Sequence, residues 1–117
     1  MAFNAKPVIV CPSDSVQAIE KCAAVVGLHI YEDLDTVQEL PLSMGVVALT
    51  KDKAAAPAQA AELAARKPAA VVSVEASGAN TLGVYHNAVG KDVTEMQAKS
   101  EALWDLLRTQ GVPNIAI

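Results

Sequence analysis

The chain has 117 residues, of which 52% are hydrophobic and 3% aromatic, and its net charge is −4. This length suits a single domain over residues 1–117, and the apolar fraction excludes a disordered chain. The acidic balance gives no basic surface for phosphates and no apolar run approaches the roughly 20 residues that span a bilayer, so we expect neither a nucleic-acid nor a membrane partner.

The first half of the sequence alternates apolar runs with helical spacing. Residues Pro7–Cys11 form a continuous apolar run, which predicts a central strand buried on both faces. Residues 16–26 have helical periodicity and end at Gly27, a typical helix terminator. Leu28–Tyr31 predicts a weaker strand, and the acidic residues 32–39 predict a surface segment or a short helix.

The middle of the chain repeats this pattern. Met44–Leu49 predicts another buried strand, and the alanine-rich residues 54–66 predict a helix with Pro57 tolerated in its first turn. Pro68–Val74 predicts a strand that ends abruptly at Glu75. This alternation is typical of parallel strands joined by helical crossovers.

The last elements are a helix and a strand. Thr94–Gln97 has the form of a capping box, which predicts that a helix starts there and runs to Gln110. Gly111 is a plausible terminator, and Pro113–Ile117 predicts the final strand. The predicted inner face of the helix consists of Met96, Ser100, Leu103 and Leu107.

Together these elements predict an α/β fold, a Rossmann-like three-layer sandwich with a mostly parallel sheet of about five strands. Ligands of such sheets bind beyond the carboxyl ends of the strands. That edge would collect residues 11–15, 50–53 and 75–91. The two cysteines, Cys11 and Cys22, have no CxxC spacing, which is typical of free thiols in a reducing compartment, so we expect a cytoplasmic protein. We interpret both as core residues.

Residues 75–92 form a long polar segment, and ordered loops of this length are commonly functional. Its glycines allow positive φ or close approach to a ligand. Its functional groups are Glu75, Asn80, Tyr85, His86 and Asn87, and its glycines are Gly78, Gly83 and Gly90. Such a cluster can bind a carboxylate or move a proton. Equally, these side chains can simply hydrogen-bond their own turns.

Cofactor and metal motifs are absent from the sequence. It contains no GxGxxG, Walker A or Gly-x-Ser-x-Gly pattern, and a set made of Glu75, His86 and Asp92 lacks metal-ligand spacing. We therefore predict no cofactor and no metal, and a small-molecule substrate.

The polar segment resembles a known family. Glu75 is followed by Ser-Gly, then by Gly-Val-Tyr-His-Asn at 83–87 and Gly-Lys-Asp-Val-Thr at 90–94. This pattern is similar to the C-terminal domain of D-glutamate cyclase, in which a Glu-Arg-x-Gly segment leads into Gly-x-Tyr-x-Asn with the same spacing. The likeness covers residues 68–117 at motif level. The matching positions are Glu75, Gly78, Gly83, Tyr85 and Asn87.

The resemblance implies an enzyme that removes water as the amine of free D-glutamate attacks its own side-chain carboxyl, giving 5-oxo-D-proline. Glu75 is then the candidate base, with Tyr85 and Asn87 as donors or orienting groups, and the same groups would serve lactam hydrolysis in reverse. The substrate-binding candidates are Gly78, Asn80, Gly83 and His86. We thus expect a hydro-lyase or a lactam or amide hydrolase.

The sequence departs from the family at charged positions. Ala76, Ala79 and Val89 stand where relatives tend to have arginine, and Leu82 stands where they have aspartate. Because the missing arginines would be partners for a carboxylate, we expect a substrate less anionic than D-glutamate. The alternative is a noncatalytic binding or assembly subunit of a heteromeric complex.

The last expectation concerns the strand Pro113–Ile117. In the family, a Gly-Asp-Gly-Gly-Asn-Glu loop and further elements follow this strand. We expect this polypeptide to be part of a split or processed domain, completed by a second polypeptide and able to form a higher oligomer.

Overall fold

The computed structural model describes residues 5–117, and the chain divides after Leu49 into two compact units. The first contains β1 (Val8–Pro12), α1 (Val16–Val25), β2 (His29–Tyr31), α2 (Leu34–Glu39) and β3 (Ser43–Leu49). The second contains α3 (Ala56–Ala65), β4 (Val71–Ser73), α4 (Glu101–Thr109) and β5 (Asn114–Ala116). The α/β class is confirmed, and the open, parallel sheets are consistent with a Rossmann-like sandwich. The strands are divided between a sheet of three and a sheet of two.

In the first unit the strands are parallel and lie in the order β1-β3-β2. The prediction that Pro7–Cys11 forms the central strand is therefore wrong, because β3 occupies the middle and β1 lies beside it. Five of the seven residues of β3 are buried, whereas only Cys11 is buried in β1. A continuous apolar run predicted both strands but did not distinguish the central one.

Local sequence explains how the first unit's helices begin and end. Gly27 adopts φ +75°, and the amide of Leu28 donates to the carbonyl of Ala23, so the predicted glycine terminator of α1 is confirmed. Residues 32–39 contain the short helix α2. The Asp33 carboxylate accepts the amides of Asp35 and Thr36 at 3.1 and 3.3 Å and so caps it.

In the second unit α3 packs against α4, with small residues on one helix and leucines on the other. Ala56, Ala60 and Ala64 repeat every four residues and are buried, as are Leu103 and Leu107 of α4. Pro57 lies in the first turn of α3, as predicted. β4 and β5 pair in parallel, with Val72 opposite Ile115.

The predicted start of the last helix at Thr94 is wrong. Thr94–Met96 makes a single 3-10 turn, Gln97 is extended with ψ 137°, and α4 begins only at Glu101. Met96 is 67% exposed and does not belong to the inner face, whereas the other predicted inner residues are buried. The physical reason is that the Thr94 hydroxyl donates to Asp92 at 2.6 Å instead of capping a helix.

The two thiols differ. Cys11 is buried, and burial raises its pKa, as expected for an inert core thiol. Cys22 is exposed, so its assignment to the core is wrong. Within residues 5–117, no helix combines the length and hydrophobicity needed to cross a membrane.

Candidate functional site

The segment 75–93, which follows β4 and is called the site loop below, contains two turns built in the same way. The side-chain oxygen of Asn80 accepts the amides of Leu82 and Val84 at 2.9 and 3.0 Å. Three residues after this asparagine, Gly83 adopts φ +77°, which favours glycine. We call residues 80–84 the first turn.

The second turn, residues 87–91, repeats the first seven residues later. Asn87 accepts the amides of Val89 and Lys91 at 3.1 and 2.9 Å, and Gly90 adopts φ +80°. The alternative left open by the sequence, that the polar side chains hydrogen-bond their own turns, is therefore realised for the side-chain oxygens of both asparagines. Two of the predicted site residues, Asn80 and Asn87, owe their position to this role.

Tyr85 lies between the two turns and is the buried residue of the site loop, with 2% of its surface exposed. Its hydroxyl donates to Oε2 of Glu101, in the first turn of α4. The ammonium of Lys99 lies 4.9 Å from the centroid of the ring. Burial raises the pKa of Tyr85, and the hydrogen bond to Glu101 and its negative charge raise it further. The phenol therefore stays protonated at neutral pH.

Glu101 is a residue that the sequence did not single out. Its other oxygen, Oε1, accepts the amide of Ala79 at 2.8 Å, so one carboxylate is bound to both Ala79 and Tyr85. These two residues also face each other as an antiparallel bridge at the base of the first turn. The available signal was an acidic residue in the first turn of a helix. Placing the helix start at Thr94 hid that signal.

A second cluster fixes the other side of Tyr85. The Tyr85 amide donates to the Thr94 hydroxyl at 3.0 Å, and this hydroxyl donates to Asp92. Hydrogen bonds from Thr94 hold the pKa of Asp92 below its ordinary value, and the charge of His86 lowers it slightly further. His86 is exposed and lies opposite Asp92 in an antiparallel bridge.

Glu75 occupies a different place from Tyr85. It is exposed at the carboxyl end of β4, its φ is +50°, and its amide donates to the carbonyl of Ile117 at 3.1 Å. The backbone of Glu75 is thus bound to the residue that follows β5, whereas the side chain of Tyr85 is bound to Glu101 of α4. That Glu75, Tyr85 and Asn87 line one pocket remains a prediction. Gly78 is also exposed, and no atom lies within 4 Å of a Cβ placed there.

A model of the family described as D-glutamate cyclase-like, C-terminal, matches residues 1–117. The chain belongs to the D-glutamate cyclase-like C-terminal family. Comparison with curated proteins and with solved structures returns no match. The resemblance found over residues 68–117 is therefore confirmed, and it extends over the whole chain.

Two further features bear on what this D-glutamate cyclase-like chain can bind. An open recess of about 170 Å³ lies between α4 and the β4–β5 sheet. It is lined by Ser73, Trp104, Asp105, Arg108, Asn114, Ile115 and Ala116, and so by none of the predicted site residues. In the described part of the chain, no group of three or more His, Cys, Asp or Glu residues is placed to hold a metal ion.

Proposed function

We propose that this chain closes or opens a small ring, acting on an amino acid, a cyclic amide or a lactam. Its family is D-glutamate cyclase-like, which supports a cyclase or lyase type of reaction. In the closing direction a neutral amine attacks a carboxyl carbon, the C–N bond forms, and the hydroxyl leaves as water with a proton. The reverse direction is hydrolysis of the amide bond.

The observation that carries this proposal is the backbone of Glu75. A glutamate with φ +50° is strained, because its Cβ disfavours the left-handed region that glycine adopts freely. Such strain persists only where neighbouring structure fixes it, and it clusters at functional sites. Leu42 and Lys67 have similar values, +52° and +53°, but of these three residues Glu75 alone lies at the carboxyl end of a parallel strand, where ligands of α/β sheets bind.

We assign Glu75 the role of general base, which removes a proton from the attacking amine as the C–N bond forms. Its exposed carboxylate is accessible to a small substrate. The Asn87 oxygen serves the second turn, so the amide N–H groups of Asn87 are the donors we propose for the oxyanion. The Tyr85 hydroxyl already donates to Glu101, so we propose that Tyr85 supports the site loop from beneath.

We further propose a substrate that is less anionic than D-glutamate. Leu82 and Val89 lie at equivalent places in the first and second turns, and they are 84% and 86% exposed. Val89 stands where related chains tend to carry arginine, so it removes a partner for a carboxylate, whereas Leu82 stands where they carry aspartate and does not support this assignment. Ala76 and Ala79, also exposed, offer no guanidinium for a carboxylate. Efficient cyclisation of D-glutamate by the purified protein would contradict this substrate assignment.

The test of the reaction is turnover of D-glutamate, 5-oxo-D-proline and a panel of uncharged lactams, followed by NMR. Glu75→Gln keeps the shape and removes the basicity, so we expect turnover to fall by about 10²–10⁴-fold. Glu62→Gln, an exposed change on α3, is the matched control and should retain activity. Equal turnover by the two variants would remove Glu75 from the mechanism.

A second candidate function, a noncatalytic subunit of a heteromeric complex, is favoured by one observation. Val72 and Ile115 are directly paired and therefore share one face of the β4–β5 sheet, and they are 49% and 53% exposed. Val74 and Ile117 are also exposed, at 65% and 77%. We propose that a second polypeptide packs beside β5 and covers these residues. Intact-mass analysis of the native protein should then show a different chain in equal amount, and a fully active 12.2 kDa monomer would contradict it.

A further inference from the structure

We infer that Glu101 is the positioning residue of the site loop: by binding both Ala79 and Tyr85, it fixes the segment that presents Glu75. This inference rests on the proposed function and deepens it, because it names a residue outside the site loop that controls the site. Glu101 is half-buried in the first turn of α4, the helix that packs against α3.

Residues 75–79 are fixed by hydrogen bonds at both ends. At one end the amide of Glu75 donates to Ile117, which holds the residue against the β4–β5 sheet. At the other end the amide of Ala79 donates to Oε1 of Glu101. A short segment fixed at both ends has few conformations to sample. The position of Glu75 therefore depends on Glu101 as well as on the sheet.

The same carboxylate binds the base of the first turn. Ala79 and Tyr85 close its base, and Glu101 binds one group on each of them. The carboxylate is suited to this because each oxygen accepts one hydrogen bond and both donors are satisfied. A glutamine can still accept the Ala79 amide at its carbonyl oxygen while its amide nitrogen donates to the Tyr85 hydroxyl oxygen. Glu101→Gln thus removes the negative charge and keeps the shape of the side chain, whereas Glu101→Ala removes both contacts.

Some hydrogen bonds of the first turn do not involve Glu101. The amides of Leu82 and Val84 are bound by Asn80 within the first turn, independently of Glu101. If Glu101 were only a local partner, its loss would expose the Ala79 amide alone. If it positions the loop, the amides of Leu82 and Val84 should lose protection as well, and the reaction should slow.

The experiment measures amide hydrogen exchange and turnover in Glu101→Gln, Glu101→Ala and Tyr85→Phe. The control is Glu95→Gln, an exposed change in the preceding 3-10 turn. We expect exchange at Ala79, Leu82 and Val84 to rise at least about tenfold in Glu101→Ala, with α4 still protected. We expect kcat to fall by about 10–100-fold with a smaller change in KM, since misplacement costs rate more than binding. Tyr85→Phe should give part of this fall in kcat. The double variant Tyr85→Phe/Glu101→Ala should show a smaller fall in kcat than the product of the two single fold-changes, because both residues act through one contact.

The outcomes are distinct. Faster exchange confined to Ala79, or kcat equal to that of Glu95→Gln, would overturn the positioning role and leave the proposed reaction intact. If Glu101→Ala unfolds, Tyr85→Phe decides, because it retains the packing and removes the contact between Tyr85 and Glu101; exchange at Leu82 and Val84 equal to that of Glu95→Gln would then overturn the positioning role. Absence of turnover in the wild-type protein would overturn the proposed function, and with it the claim that Glu101 positions a reactive group.

Discussion

β3 and β4 are both apolar segments of a parallel sheet, yet their environments differ. β3 is a seven-residue strand between two others, and it is mostly buried. β4 has three residues and one partner strand, and Val72 at its centre is 49% exposed. The comparison shows that hydrophobicity determines that a segment becomes a strand, whereas the number of neighbours determines how far it is buried.

The sharpest test of this difference is the same substitution in both strands. Val46, in β3, is 3% exposed, so Val46→Ala should lower the free energy of unfolding by about 2–3 kcal/mol through lost burial and a cavity. Val72→Ala should cost less than about 1 kcal/mol. Chemical denaturation of both variants measures the two effects. Equal losses would show that Val72 is covered in the native protein, as a bound second chain would require.

Gly45 in β3 is crowded, whereas Gly78 in the site loop is surrounded by open space. A Cβ on Gly45 would lie 2.5 Å from Leu34 Cδ2, the end of a side chain that can move, and 3.3 Å from Val8 Cγ2, so Gly45→Ala should cost about 1 kcal/mol. Gly78 has open space around it, and Gly78→Ala should leave stability unchanged or raise it by up to about 1 kcal/mol. Thermal denaturation of both variants measures whether stability falls or rises. A fall in turnover of a stable Gly78→Ala protein would support close approach of a substrate at that position.

Much of the fold could be predicted because β1 and β3 lie in continuous apolar runs and Gly27 and Gly111 mark helix ends. Both glycines adopt φ +75°, and the amide after Gly111 donates to Leu107 as a helix terminator requires. Strand order could not be predicted, since it depends on long-range pairing that periodicity does not report. Pro7–Cys11 and Met44–Leu49 have the same local signal and different neighbours.

The candidate site was predicted as a segment but not as a set of contacts. Spacing and resemblance both pointed to Glu75, Tyr85 and Asn87. They did not show that Asn87 closes a turn or that Tyr85 is bound to Glu101. Glu101 was missed because Thr94 could cap a helix or bind Asp92, and the sequence alone favoured the cap.

The residues before α2 and α4 differ in capping, and their substitution should change the free energy of unfolding by different, smaller amounts. Asp33 caps α2 through two backbone amides, so Asp33→Ala should cost about 1 kcal/mol. Ser100 is the residue before α4, but its side chain makes no capping hydrogen bond. Ser100→Ala should therefore cost less than about 0.5 kcal/mol. Urea denaturation midpoints measure both, and a larger loss for Ser100→Ala would show that its buried side chain has another essential contact.

A smaller effect is the dependence of stability on pH that arises from Asp92 in the site loop. Hydrogen bonds from Thr94 lower the pKa of Asp92 in the folded protein. A lowered folded pKa contributes stability above the unfolded pKa of about 3.9, and this contribution is lost as the pH falls through the folded value. We therefore expect the difference in denaturation midpoint between about pH 6 and about pH 3 to shrink in Asp92→Asn. Thr94→Val should shrink it as well, because it removes the hydroxyl donor that is the largest cause. An unchanged difference in both variants would show that acid acts on the protein elsewhere than at this contact.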